Sequence, residues 1–246
     1  MTSKKHWTLR AAGLLFALVL ITSCFVGGTF AKYVKSVSGT QLARVARFGV
    51  EITAEDNTAF KTTYATDATG LSIGANSVFS SDDHKVVAPG TGENDTVSFS
   101  ITGTPEVAVH VGLTMAGMDV FLKGGTYPDL TTTHPDDEFN LADRYYPVVF
   151  TLKQNDTVLK SGTISEINTY LATLSKNYDA GTDLGTVFGT YTLSWKWAFE
   201  GTATTDKADT LLGALAATPS AFSYVLGADY QTGIGLTLTA TVTQID

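Results

Sequence analysis

Apolar and polar residues alternate along several stretches of this chain, the signature of β-strands with one buried face. Ala46, Phe48, Val50 and Ile52 alternate with Arg47, Gly49 and Glu51. Val97, Phe99 and Ile101 repeat the pattern, and after a Gly103-Thr104-Pro105 turn Val107, Val109, Val111, Leu113 and Met115 continue it. Tyr146, Val148, Phe150 and Leu152 form another such face, and Gln154-Asn155-Asp156-Thr157 turns it back toward Val158 and Leu159. Tyr191, Leu193, Trp195, Trp197 and Phe199 form the heaviest apolar face. Ile234, Leu236, Leu238, Ala240 and Val242 form the last, with Thr237, Thr239, Thr241 and Thr243 facing outward. So many half-polar strands predict an antiparallel β-sandwich rather than a parallel sheet.

Two segments change period. Thr163 followed three residues later by Glu166 is a capping box, and it opens a run with Ile164, Ile167, Leu171 and Leu174 at helical spacing. A second helix is expected over Asp206–Ala217, with Leu211, Leu212 and Leu215 on one side. Residues 53–92 are rich in Thr, Ser, Asp, Ala and Gly without a period, and read as long loops or weak strands. The expectation is an all-β dominated fold, a jelly-roll-like sandwich with one or two short helices inserted.

The N-terminus adds a different signal. Lys4, Lys5 and Arg10 precede an apolar run from Leu14 to Val26, broken only by Thr22 and Ser23. A basic start, an apolar core of this length and a small-x-small site form a secretory signal peptide. Thr29-Phe30-Ala31 supplies that site, so cleavage is expected after Ala31, with Lys32 as the new terminus. The organisation that follows is a signal at 1–31, a mobile arm at 32–41 and one β-sandwich domain at 42–246. Two rivals exist. Ala11–Phe30 is 20 residues, the length of an uncleaved membrane anchor. Ile21-Thr22-Ser23-Cys24 fits a permissive lipobox with Cys24 as the lipidated residue. Cys24 is the only cysteine, so no intramolecular disulfide is available. Cleavage removes three basic residues and no acid, taking the formal charge from −8 to −11. So acidic a chain argues against nucleic acid or an anionic membrane surface as partner. Membrane contact is expected only through the uncleaved signal.

The stretches "GGTFAKY" and "ARVARFGVEI" resemble the N-terminus of the TasA/camelysin-like proteins. The GGT-aromatic-A-x-aromatic pattern around the cut site carries much of the likeness, which is specific over residues 24–52 and architectural beyond. The resemblance implies export, processing by a signal peptidase of the SipW type and a jelly-roll β-sandwich. It also implies a role as a fibre subunit of the extracellular biofilm matrix. Camelysin-like proteins have also been classed as metallopeptidases.

The residues themselves offer little catalytic chemistry. No HExxH motif is present. His84 follows Asp82 and Asp83, and His134 precedes Asp136, Asp137 and Glu138; the two clusters are weak candidates for halves of one metal site. Clustered carboxylates there suit calcium better than zinc, and solvated acidic loops are the simpler reading. No resident cofactor is expected. His110 reads as a strand residue on the polar face. Asn94-Asp95-Thr96 and Asn155-Asp156-Thr157 fit the glycan sequon but equally fit turn chemistry. The Tyr191, Trp195, Trp197, Phe199 series fits a carbohydrate platform, although strict period two favours core.

Three function classes follow. The first is a secreted structural subunit of a matrix or surface fibre, self-associating or pairing with related subunits. In this class the arm residues Tyr33, Val34 and Val37 are donated to a neighbour as a strand. The second is a secreted metallopeptidase. The third is a monomeric module that binds a surface glycan or partner. The first is expected.

Overall fold

A computed structural model of the protein describes residues 45–55, 59–64, 78–134, 136–199, 201–218 and 230–245. The expected signal segment, its cleavage residues Thr29, Ala31 and Lys32, Cys24, and the arm residues Tyr33, Val34 and Val37 lie outside the described residues.

In chain order the elements begin with β1 (Val50–Glu55), β2 (Thr63–Tyr64), β3 (Val78–Phe79), β4 (Gly92–Gly103), β5 (Val109–Met118), β6 (Phe121–Leu122), β7 (Gly125–Pro128), β8 (Glu138–Leu141), β9 (Val148–Gln154) and β10 (Thr157–Gly162). They continue with α1 (Ile164–Leu174), β11 (Lys176–Tyr178), α2 (Leu184–Phe188), β12 (Thr190–Trp197), α3 (Ala203–Ala217), β13 (Tyr230–Gln231) and β14 (Gly235–Gln244). The fold is strand-dominated, with several antiparallel sheets and three short helices. A five-stranded sheet has the order β1-β4-β12-β9-β10, and a three-stranded sheet the order β11-β5-β14. Three two-stranded ribbons, β13-β6, β2-β3 and β7-β8, complete the ladders among the described residues.

One hydrophobic cluster draws on both larger sheets. Phe99 and Ile101 of β4, Phe150 and Leu152 of β9, and Leu193 and Trp195 of β12 share it with Val111, Leu113 and Met115 of β5. Phe99 and Tyr191 are directly opposed across β4 and β12, and their rings stack with centroids 5.0 Å apart. Such a cross-strand aromatic pair adds about 0.5–1.5 kcal/mol to simple burial. The heavy aromatic face read from the sequence is therefore core: Tyr191, Trp195 and Trp197 are all buried.

Local chemistry explains the turns. Asn155 and Asp156 have φ of +46° and +68°, which gives the β9–β10 hairpin a two-residue turn with both central residues left-handed. The capping box at α1 is formed: Glu166 N donates to Thr163 Oγ1 (3.2 Å), and Thr163 N donates to Glu166 Oε2 (2.8 Å). Ile164, Ile167 and Leu171 are the buried side of that helix.

Several expectations are corrected. The first strand begins at Val50, not Ala46, and its supposed core face is largely outside: Phe48 is 39% and Ile52 42% exposed. Among the described residues β1 is an edge strand, paired only with β4. Tyr146 precedes β9, and Phe199, 40% exposed, follows β12. The last helix starts at Ala203, because Thr202 and not a residue near Asp206 provides the N-cap. Among the described residues a further short helix, α2, joins the two expected; Asp183 caps it, and its five residues are too few to show a period. Gly103-Thr104-Pro105 does not close a hairpin; it carries the chain from β4 in one sheet to β5 in the other.

Candidate functional site

Among the described residues, the acidic loops nominated by the sequence are organised by local partners. Asp82 accepts hydrogen bonds from Ser80 Oγ (2.8 Å) and His84 N (3.2 Å), and its other oxygen lies 2.9 Å from His84 Nδ1. His84 and Ser80 hold the Asp82 carboxyl down at about 2, and Asp82 in turn raises the imidazole. The pair closes a local turn in which Asp83 has φ of +62°. His134, Asp136, Asp137 and Glu138 are exposed. Their loop is organised through the main chain, with Asp137 N donating to His134 O at 3.3 Å and Asp129 N donating to Asp137 O at 2.7 Å. Among the described residues no three His, Cys, Asp or Glu side chains group as metal ligands. His110 of β5 is half-buried and hydrogen-bonds Asn177 Oδ1 of β11 at 2.8 Å.

Both sequon-like tripeptides have local structural roles. Thr96 is buried and its hydroxyl donates to Leu193 O (2.8 Å), while Asp95, with φ of +51°, accommodates an irregularity in the β4–β12 register. Asn155 Oδ1 accepts from Thr190 N (3.0 Å), tying the β9–β10 hairpin to the start of β12.

The sheet edges differ in a way that matters more. β10 carries a bulge between Val158 and Lys160, and Lys160 itself is charged. β1 bears the exposed Glu51. The β11 side of the three-stranded sheet is closed. β11 pairs with Val109–Val111 only, and beyond it Leu113 N donates to Ser175 Oγ (2.9 Å) and Met115 N to Asn168 Oδ1 (2.8 Å). These are the bulges, charges and covers by which proteins blunt a strand edge. β14 has none of them. Its ten residues, GLTLTATVTQ, contain no charge and no proline, and they pair with β5 in unbroken register from Gly235↔Met118 to Gln244↔Val109. Among the described residues no strand pairs with its other side. Leu236, Leu238, Ala240 and Val242 pack on the core yet remain half-buried, while Thr237, Thr239, Thr241 and Thr243 are exposed.

A second feature escaped the sequence reading. A cavity of about 90 Å³ lies between the end of β12 and α3, with Trp197, Asp209, Leu212, Val120 and Thr232 in its wall. Asp209 Oδ1 accepts from the Tyr145 hydroxyl at 2.9 Å. Burial pushes the Asp209 carboxyl up to about 6, against the opposing pull of Trp197 and Tyr145. The only sequence hint was an acid set between Ala208 and Leu212, both buried.

Fold and edge together define an antiparallel, strand-dominated domain in which, among the described residues, the long and uncharged β14 is unpaired on one side. No protein-family model matches the chain, and no curated protein matches it.

Proposed function

We propose that the protein is a secreted structural subunit of an extracellular matrix or surface fibre. In this reading residues 32–41 of one copy, carrying Tyr33, Val34 and Val37, add as a strand along the open edge of β14 in the next copy. The observation that carries it is the β14 edge: ten residues without charge, proline or bulge, beside an apolar face that its own subunit leaves half-covered. An added strand satisfies a row of main-chain donors and acceptors and covers Leu236, Leu238 and Val242 at once. The arm and the edge are different surfaces, so the contact is head-to-tail and generates an open filament. Processing after Ala31 by a peptidase of the SipW type frees the arm, which until then is tethered at the membrane. A jelly-roll-like connection of the two larger sheets belongs to the same proposal.

The test compares chains beginning at Lys32 and at Leu42, seeded identically and viewed by electron microscopy. The longer chain is expected to form fibres and the shorter not, with matching circular dichroism. A third variant keeps the arm but carries Thr239→Lys and Thr241→Lys on β14, and is expected to stay monomeric. Equal assembly of all three overturns the reading.

A further inference from the structure

The apolar interior runs out at one flank of each larger sheet. In the three-stranded sheet Val111, Leu113 and Met115 of β5 are buried, while Val242, Ala240 and Leu238, directly opposite them on β14, are half-buried. In the five-stranded sheet Ile101 and Phe99 of β4 are buried, while Ile52 and Ala54, directly opposite them on β1, are exposed, Ile52 by 42%. Residues directly opposite across a pair of strands share a sheet face. Ile52 and Ala54 therefore point to the core side and find little cover there among the described residues.

The two flanks border the same side of the fold. α1 packs against β5, β9 and β10. It closes the side on which β10 ends one sheet and β11 ends the other. β1 and β14 are the opposite ends of those same two sheets. A strand laid along β14 would sit about 5 Å beyond it and turn one face across about 10 Å toward Ile52 and Ala54. One wall would then pair its main chain and the other would pack its side chains.

We propose that β14 and β1 are the two walls of one open strand slot, and that Ile52 and Ala54 of β1 select the incoming strand by the apolar face it must turn toward them. This rests on the strand addition proposed above and takes the same occupant, residues 32–41 of a second copy. Charge favours that occupant over a second β14. Of the 16 basic residues, Lys4, Lys5 and Arg10 lie in the signal segment, and Lys32, Lys35, Arg44 and Arg47 precede β1 with no acid among them. The 24 acidic residues all lie at or beyond Glu51. A basic leader is drawn to the acidic body of another copy, whereas two such bodies repel. In an extended strand Tyr33 and Val37 share one face and fill the slot. Lys35 lies between them on that face, and its long stem carries the ammonium to the rim.

The test is hydrogen exchange on the full chain before cleavage, held in detergent, with and without a synthetic peptide of residues 32–41. The peptide is expected to raise amide protection along both β14 and β1. Ile52→Asp is expected to weaken peptide binding at least about tenfold, because it sets a carboxylate against an apolar strand face. Thr53→Asp, on the outer face of the same strand, is expected to bind as the parent does. Should Ile52→Asp melt early, Ile52→Thr takes its place, with weaker binding again expected. Protection confined to β14, or equal binding by the Ile52 and Thr53 variants, overturns the slot and leaves arm addition at β14 standing. Protection of neither strand overturns both. Protection of both strands that rises with protein concentration and needs no peptide gives the slot to a second copy's own strand and overturns the proposal.

Discussion

Lys207 Nζ lies 2.7 Å from Asp129 Oδ2, joining the middle of the first half of α3 to the loop that follows β7. The Asp129 side chain is 3% exposed, and its second oxygen accepts from Thr131 N (2.9 Å) and Thr131 Oγ1 (2.6 Å). Both carboxylate oxygens that burial takes from water are thus paired within the protein, the condition under which a buried carboxylate is tolerated.

Lys207→Met removes the countercharge and leaves that carboxylate buried. The variant is expected to melt at a lower temperature than the parent. The double variant Asp129→Asn/Lys207→Met should recover part of the loss, because no charge is then stranded. Lys207 and Thr131 hold Asp129 down at about 2. A depressed carboxyl stabilises above its unfolded value of about 3.9 and loses that contribution as pH falls toward 2. Thermal melts from pH 5 down to pH 2 should show the parent losing more stability than the double variant.

Asp209 has the opposite sign. Its carboxyl is raised to about 6, foremost by burial. The unfolded chain gives up this proton first, so stability is full below about pH 4 and declines as pH rises toward 6. Discounted for partial exposure, the shift corresponds to about 1–2 kcal/mol. Asp209→Asn is expected to be more stable than the parent by about that amount at pH 7 and nearly equal to it at pH 4, measured by urea unfolding at the two pH values.

Gly103 ends β4 with φ of +108°, opposite Val50 of β1. A Cβ there would collide with the carbonyl oxygen of Gly49 and crowd Val50 Cα at 3.2 Å. Gly103→Ala combines a left-handed backbone penalty with that clash, for an expected loss of about 2–4 kcal/mol. Hydrogen exchange should show β1 amides losing protection while those of β9 keep theirs. Unchanged protection along β1 would refute this account.

Thr163→Ala deletes the side-chain acceptor of the α1 capping box, and a cost of about 1 kcal/mol is expected. Glu166→Ala in the Thr163→Ala background should cost less than in the parent, since the two side chains act reciprocally. A thermal-melt cycle over the four proteins reads the coupling.

The alternating stretches were legible because a strand packed on one face imposes period two on its own residues. Val109, Val111, Leu113 and Met115 are buried as that period requires, and the Asn155-Asp156 turn and the Thr163 cap were visible as local chemistry. The same rule misplaced Phe48 and Ile52. Period two marks a face, but whether the face is covered depends on what lies beside the strand, and β1 lies at an edge. The Tyr191–Trp197 face raised the same question and was answered as core for the same reason, because β12 has a neighbour on each side.

Local sequence thus determined the antiparallel, strand-rich class, the β9–β10 hairpin and the start of α1, since each depends on residues within a few positions of one another. Only the tertiary structure decided that β4 and β5 enter different sheets, that among the described residues β14 ends the second sheet as an uncharged edge, and that Asp209 lies beside Trp197. It also decided that Lys207 meets Asp129. Those relationships join residues distant along the chain, and a sequence pattern records the burial of a side chain without recording which distant neighbour buries it.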